Sequence, residues 1–197
     1  GTFFRDTTQI VVKPFDPHHS PVKLHYEIAT RSELIRLAGM RHIHIRDLSL
    51  RRTKTDPMLG VINLDDSRHC QLEQLLIDNN GSTGLVGQGT RDLVVTMSEI
   101  SDGYSPHSHG IRLQYPYALQ LHNNYIHDNM GNAIDLAISP MAANRSPTEI
   151  TDNILWANAG TNIRFTSPHD IPARSCHTHR LRMEGNIVAG AYGASAS

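Results

Sequence analysis

Short apolar alternations recur along this chain in fixed phase. The segments GVINL, TGLVG, HGIRL, NAIDL and TNIRF place Ile62, Leu85, Ile111, Ile134 and Ile163 at one shared position. A second set, HIHIRDLSL, CQLEQLLI, LVVTMSEI, LQLHNNYI, TEITDNIL and LRMEGNIV, does the same for Ile45, Leu72, Val95, Leu121, Ile150 and Met183. The shortest step from the first set to the second is ten residues and the shortest return is thirteen, a bare repeat of 23 with extra length confined to corners. Within each segment the period-two alternation predicts a β-strand whose Ile and Leu point one way and whose neighbours point the other. One coil cannot bury its own apolar side, so a repeat in the twenties predicts a stacked solenoid. Asp78-Asn79-Asn80-Gly81, Asp128-Asn129-Met130-Gly131 and Ala157-Asn158-Ala159-Gly160 follow the second set. These residue types tolerate left-handed backbone and mark the corner of each coil.

The half-repeats LQLHNNYIHDNMGNAIDL and TEITDNILWANAGTNIRF resemble the parallel β-helix repeat of the pectate-lyase-like superfold, over roughly residues 43–193. The resemblance implies an all-β, right-handed, single-stranded solenoid of about six coils, forming one domain. Residues 1–40 are expected as N-terminal strands or a cap, and 41–197 as the coils. Similar N-terminal segments follow earlier sequence in many bacterial β-helix proteins, so missing flanking chain is expected. The superfold includes polysaccharide lyases, glycoside hydrolases, uronan epimerases, phage tailspikes and non-catalytic surface proteins, and so constrains fold more than chemistry.

Bulk composition agrees with one such tube. Of 197 residues 39% are apolar but only 6% aromatic, as expected where small stacked aliphatics fill a narrow interior. A net charge of −1 gives no general basic excess for nucleic acid or an anionic membrane. No apolar run approaches the roughly eighteen residues of a membrane span. Gly1 in place of Met leaves room for a removed leader, and the expected location is extracellular or periplasmic. Cys70 and Cys176 fall three coils apart, on the order of 14 Å along the axis. A disulfide needs Cα atoms within about 7 Å, so no bridge is expected.

Function on a rigid scaffold sits on the segments that interrupt the repeat. The insertions at 51–60 and 101–108 precede the first ladder, and those at 137–147 and 166–180 follow it. Together they would wall a groove over the strand ladder 62–165, the face on which polysaccharide-active β-helices carry their sugar chain. The outward row of that ladder reads Asn63, Val86, Arg112, Asp135 and Arg164, and the next outward row Asp65, Gln88, Gln114, Ala137 and Thr166. Asp135 is thereby expected between two guanidiniums, as a salt-bridge ladder or as a grip for an acidic sugar. Tyr104, His107 and His109 lie just before Arg112, and His127 lies one coil beyond that insertion.

Acting on a uronic acid requires neutralising the carboxylate, a base for the C5 proton, and an acid for the leaving oxygen or the opposite face. Arg112 or Arg164 is the candidate for the first role, and His107 or His109 with Tyr104 for the others, with Asp135 between the arginines. Asn63, Gln88, Gln114 and His127 are the candidate substrate contacts. The resemblance to mannuronan epimerases extends to Phe15-Asp16-Pro17-His18, which matches the second half of their motif but lies outside the coils. Calcium-dependent and inverting-hydrolase chemistries need clustered outward carboxylates, and Asp65 and Asp135 stand three coils apart. Cys176, His177 and His179 offer soft and imidazole metal ligands, but three on one loop make an incomplete site, and no cofactor is required.

Two readings follow. One is an extracellular carbohydrate-active enzyme, lyase or C5-epimerase in type, acting on an acidic polysaccharide. The other is a non-catalytic binding or assembly module of fibre, tailspike or surface-layer type, self-associating end to end. The clustering of Tyr, His and Arg around one groove favours the enzyme.

Overall fold

The computed structural model describes residues 29–138, 147–166 and 180–190, together with the backbone of 2–5 and 10–13. β1 (Thr2–Arg5) and β2 (Ile10–Lys13) pair antiparallel. The chain then winds in rungs of three short strands. The first rung is β3 (Ile35–Arg36), β4 (His44–Arg46) and β5 (Ser49–Arg51). The second is β6 (Asp56–Asn63), β7 (Gln71–Glu73) and β8 (Leu76–Asp78), and the third β9 (Ser82–Gln88), β10 (Arg91–Thr96) and β11 (Glu99–Ser101). The fourth is β12 (Ile111–Gln114), β13 (Tyr117–His122) and β14 (Tyr125–His127), and the fifth β15 (Ile134–Ala137), β16 (Thr148–Thr151) and β17 (Ile154–Trp156). The last described rung is β18 (Ile163–Thr166), β19 (Leu181–Glu184) and β20 (Ile187–Ala189).

Matching strands of successive rungs pair in parallel, giving three six-stranded sheets along one solenoid. The first sheet carries Ile35, Ile62, Leu85, Ile111, Ile134 and Ile163 in unbroken register. The second carries Ile45, Leu72, Val95, Leu121, Ile150 and Met183. Apart from Ile35, both columns are the ones expected from the sequence. They meet inside the tube in a single aliphatic core, and Cys70 is a buried free thiol within it. No helix among the described residues is long and apolar enough to cross a membrane.

The expectation of two ladders needs a third added. Each longer segment folds as two strands around a single left-handed residue, and the columns of those residues are Asp47, Gln74, Met97, Asn123, Asp152 and Gly185. The second strands form a third sheet with its own inward column, Leu50, Ile77, Ile100, Ile126, Leu155 and Val188. Buried amides fill the corner between the second and third sheets. The backbone and side-chain N–H groups of Asn124 both donate to Asn153 Oδ1 at 2.9 Å, and those of Asn153 donate to Asn186 Oδ1 at 3.0 Å. Asn129 and Asn158 repeat the arrangement at the next corner, so these interior amides are satisfied along the axis.

The regular coil also begins earlier than the expected boundary at residue 41. Ile35 and Arg36 already pair with Ile62 and Asn63; a two-residue strand is too short to announce itself by alternation. The insertion at 51–60 is a local irregularity in β6. Its register against β9 shifts between Asp56 and Gly60, setting Pro57, Met58 and Leu59 off the ladder. Asp56 Oδ1 holds that turn by accepting the N–H groups of Met58 (2.9 Å) and Leu59 (3.2 Å).

Candidate functional site

The outer surface of the first sheet is set by strict parallel pairing. Asn63, Val86, Arg112, Asp135 and Arg164 stand on consecutive rungs, and Gln88, Gln114, Ala137 and Thr166 form the parallel row beside them. Rungs are about 4.8 Å apart, so Asp135 does lie between the two arginines. It is not shared equally. Arg164 grips it with two parallel bonds, Nε to Oδ1 at 2.9 Å and an Nη to Oδ2 at 2.6 Å. Arg112 turns the other way, donating to the Pro57 carbonyl of the β6 turn at 3.3 Å. The forked bonding raises the Arg164 pKa further, and the carboxylate beneath is only 4% exposed. A guanidinium has five N–H donors, so Arg112 and Arg164 each keep donors beyond these bonds.

His109 sits at the edge of this face, and its chemistry is fixed from the rung above. The backbone N–H of Asn132 donates to His109 Nδ1 at 2.9 Å. An N–H can only donate, so Nδ1 is unprotonated and the hydrogen of the neutral ring is on Nε2. Burial lowers the pKa to about 4; Asp135 opposes that shift, whereas Arg112, Arg164 and His107 reinforce it. At neutral pH His109 is therefore an uncharged donor. It is not the proton acceptor that the sequence made it a candidate for.

The other candidates divide. His107 is exposed, its carbonyl accepting from Thr83 Oγ1 at 2.9 Å, and it adds to the forces that lower the His109 pKa. The Tyr104 hydroxyl donates to the Thr53 carbonyl at 2.6 Å, strapping the corner where the third sheet meets the first. Its proton is thus committed to the scaffold. Asn63 is in the outward row yet buried, its Oδ1 accepting the Asp65 N–H at 3.0 Å in a turn. Gln88 is exposed and Gln114 half-buried, both on the face. His127 belongs to β14 of the third sheet, because the left-handed corner at Asn123 carries the chain onto a different side of the tube. There it stacks on Tyr125 at 3.9 Å and contacts Asp128 at 2.7 Å.

Two contacts had no sequence signal as ligands, the Pro57 carbonyl and the Asn132 N–H. Both are main-chain groups delivered by register. Cys176, His177 and His179, the motif from Phe15 to His18, and most of the two later insertions lie outside the described residues. Among the described residues no group of three or more His, Cys, Asp or Glu side chains is placed to hold a metal ion.

The family model of the right handed beta helix region matches residues 55–177, more than half of the chain. No curated protein and no solved structure matches it.

Proposed function

Because the chain belongs to the right-handed β-helix family, we propose that it is a secreted carbohydrate-active protein of lyase or C5-epimerase type. Its substrate on this reading is an acidic polysaccharide lying over the first sheet. The observation that carries this reading is the electrostatic arrangement of that face. Two guanidiniums with spare donors flank a buried carboxylate that holds one of them rigid, beside an imidazole kept neutral. A uronate carboxylate bridging Arg112 and Arg164 would have its charge neutralised, which acidifies the adjacent C5 proton. His107, exposed and close enough to His109 to act on it electrostatically, is the base that takes that proton on this reading. His109 donates its Nε2–H to the sugar without changing its protonation state.

In β-elimination the electron pair of the broken C5–H bond forms the C4–C5 double bond as the C4–O bond breaks. The proton on His107 then passes to the departing oxygen, so one side chain closes the cycle. In epimerisation the C4–O bond stays intact: water delivers a proton to the opposite face of C5, and His107 returns the proton it took to solvent. Tyr104 has no part in either step.

The test is incubation with polygalacturonate, alginate and glycosaminoglycans, following absorbance of unsaturated uronates and exchange of the C5 proton in D2O. Turnover is expected on a uronate polymer, falling by about a hundredfold or more in Arg112→Ala and His107→Ala with thermal unfolding preserved. No turnover on any of these polymers, or full activity in Arg112→Ala, would end the proposal.

The non-catalytic reading has its own support in the last described rung. The inward-facing Met183 and Val188 are 44% and 52% exposed there, with Leu181 and Phe165 also open. Apolar side chains left open on a rung in this way are suited to stacking on a further rung, such as one from a second copy. Light scattering showing end-to-end multimers without turnover favours that module over the enzyme.

A further inference from the structure

The corner leading into the second sheet carries an arginine on three successive rungs. Arg41 bridges Arg68 and Arg68 bridges Arg91, both in parallel. The N–H groups of Arg68 and Arg91 donate to the carbonyls of Met40 and Ser67, each at 2.9 Å, which fixes the register. The three side chains thus rise from equivalent positions about 4.8 Å apart along the axis. Arg36, Arg46, Arg51, Arg164 and Arg182 each meet a carboxylate. Arg41, Arg68 and Arg91 have no ion pair or side-chain hydrogen bond among the described residues.

Like charges placed directly opposite one another in a sheet are destabilising. An uncompensated column of three is therefore not explained by folding. The acids around it are turned elsewhere. Asp92 pairs with His69 Nδ1 at 3.2 Å, Asp65 accepts the Gln88 N–H at 2.8 Å, and Asp66 stands exposed on the neighbouring turn without contacting the column. Beside the arginines, the rings of His42 and His69 stack at 4.8 Å with an 11° tilt. On the next rung the column continues in register from Arg91 to the half-buried Tyr117.

We propose that this column is a binding strip for a linear polyanion with one carboxylate or sulfate per sugar, lying along the solenoid axis. Each guanidinium forks onto one anionic group, and the Tyr117 ring takes the apolar face of the following sugar. The inference rests on the reading of an acidic polysaccharide as ligand, but it uses none of the residues of the first-sheet face. A net charge of −1 provides no long-range attraction for a polynucleotide, so recognition here is local and spans a few sugar rings.

The experiment is fluorescence anisotropy of the full chain with labelled polygalacturonate and heparin oligosaccharides, and with a single-stranded oligonucleotide, at low and raised salt. At least one of the two oligosaccharides is expected to bind, and binding to weaken with salt. The double variant Arg68→Ala/Arg91→Ala should lose about tenfold to a hundredfold in affinity. Arg68→Lys/Arg91→Lys should fall between, keeping charge while losing the fork. Arg182→Ala, which removes a paired arginine from the same sheet, should bind as the parent does. If the double alanine variant unfolds, Arg41→Gln and Arg91→Gln at exposed positions carry the same test. Unchanged affinity on losing the column, an equal loss in Arg182→Ala, or an oligonucleotide bound as tightly as the sugars overturns the strip. Column-dependent binding without turnover upholds the strip and removes the catalytic reading. Turnover with column-independent binding does the reverse.

Discussion

His109 has its protonation state set by a main-chain group one rung away. Its imidazole is poised below the usual value, at about 4 rather than 6.5, mainly because it is buried. The Asn132 N–H already occupies Nδ1, so a second proton would also break that bond. The consequence for stability has a definite sign. Keeping the ring neutral stabilises the fold fully above pH 6.5; as pH falls toward 4 the unfolded chain takes up the proton first and this stability is lost, levelling off below 4. The loss is at most about 3 kcal/mol. His109→Asn retains an acceptor for the Asn132 N–H but cannot titrate. Denaturant unfolding from pH 7.5 to 3.5 should therefore show a shallower decline in the variant than in the parent. Parallel curves would mean that the ring is not held neutral.

At the scale of the element, the corners between the second and third sheets show what short strands require. Each turns on one residue with φ near +50° to +70°, filled by Asp, Gln, Met, Asn, Asp and Gly in succession. A long side chain in that conformation is strained, and only Asn, Asp and Gly adopt it readily. Met97, with φ 49° and half exposed, contributes no core packing to offset the strain. Met97→Gly should raise stability by about 0.5–1 kcal/mol in equilibrium unfolding, whereas Val95→Gly, two positions earlier and inward, should lower it sharply. The same corner explains what was legible in the sequence. The inward columns of the first two sheets could be read because Ile, Leu and Val recur at fixed phase. The third sheet is not separable from the second in the sequence, because one residue of varied chemistry at the bend leaves no motif. The row Arg112, Asp135, Arg164 followed from register alone. The unequal bonding within it did not, because it depends on where the Pro57 carbonyl falls after a three-residue irregularity in β6. His127 stands on the third sheet, and this was not legible for the same reason: the bend at Asn123 leaves no motif in the sequence.

Over the whole molecule, stability is a sum over rungs, each supported by the two it touches. Burial grades accordingly. Ile111, in the fourth rung, is fully buried between β9 and β15, whereas Met183, in the last described rung, pairs with β16 and is 44% exposed. Ile111→Ala should cost about 3–4 kcal/mol, because it leaves a cavity that close-packed neighbours on both sides cannot fill. Met183→Ala should cost about 1 kcal/mol, since much of its surface already meets water. Native-state hydrogen exchange should follow the same gradient, with the amides of β10 and β13 exchanging by global unfolding and those of β19 and β20 by local fraying. Protein concentration makes the measurement discriminating. If β19 and β20 are as protected as the middle rungs at high concentration and lose that protection on dilution, a second copy covers the open rung and the assembly reading gains. If their fast exchange is independent of concentration, the molecule works as a single solenoid, and ligand recognition falls to its long faces.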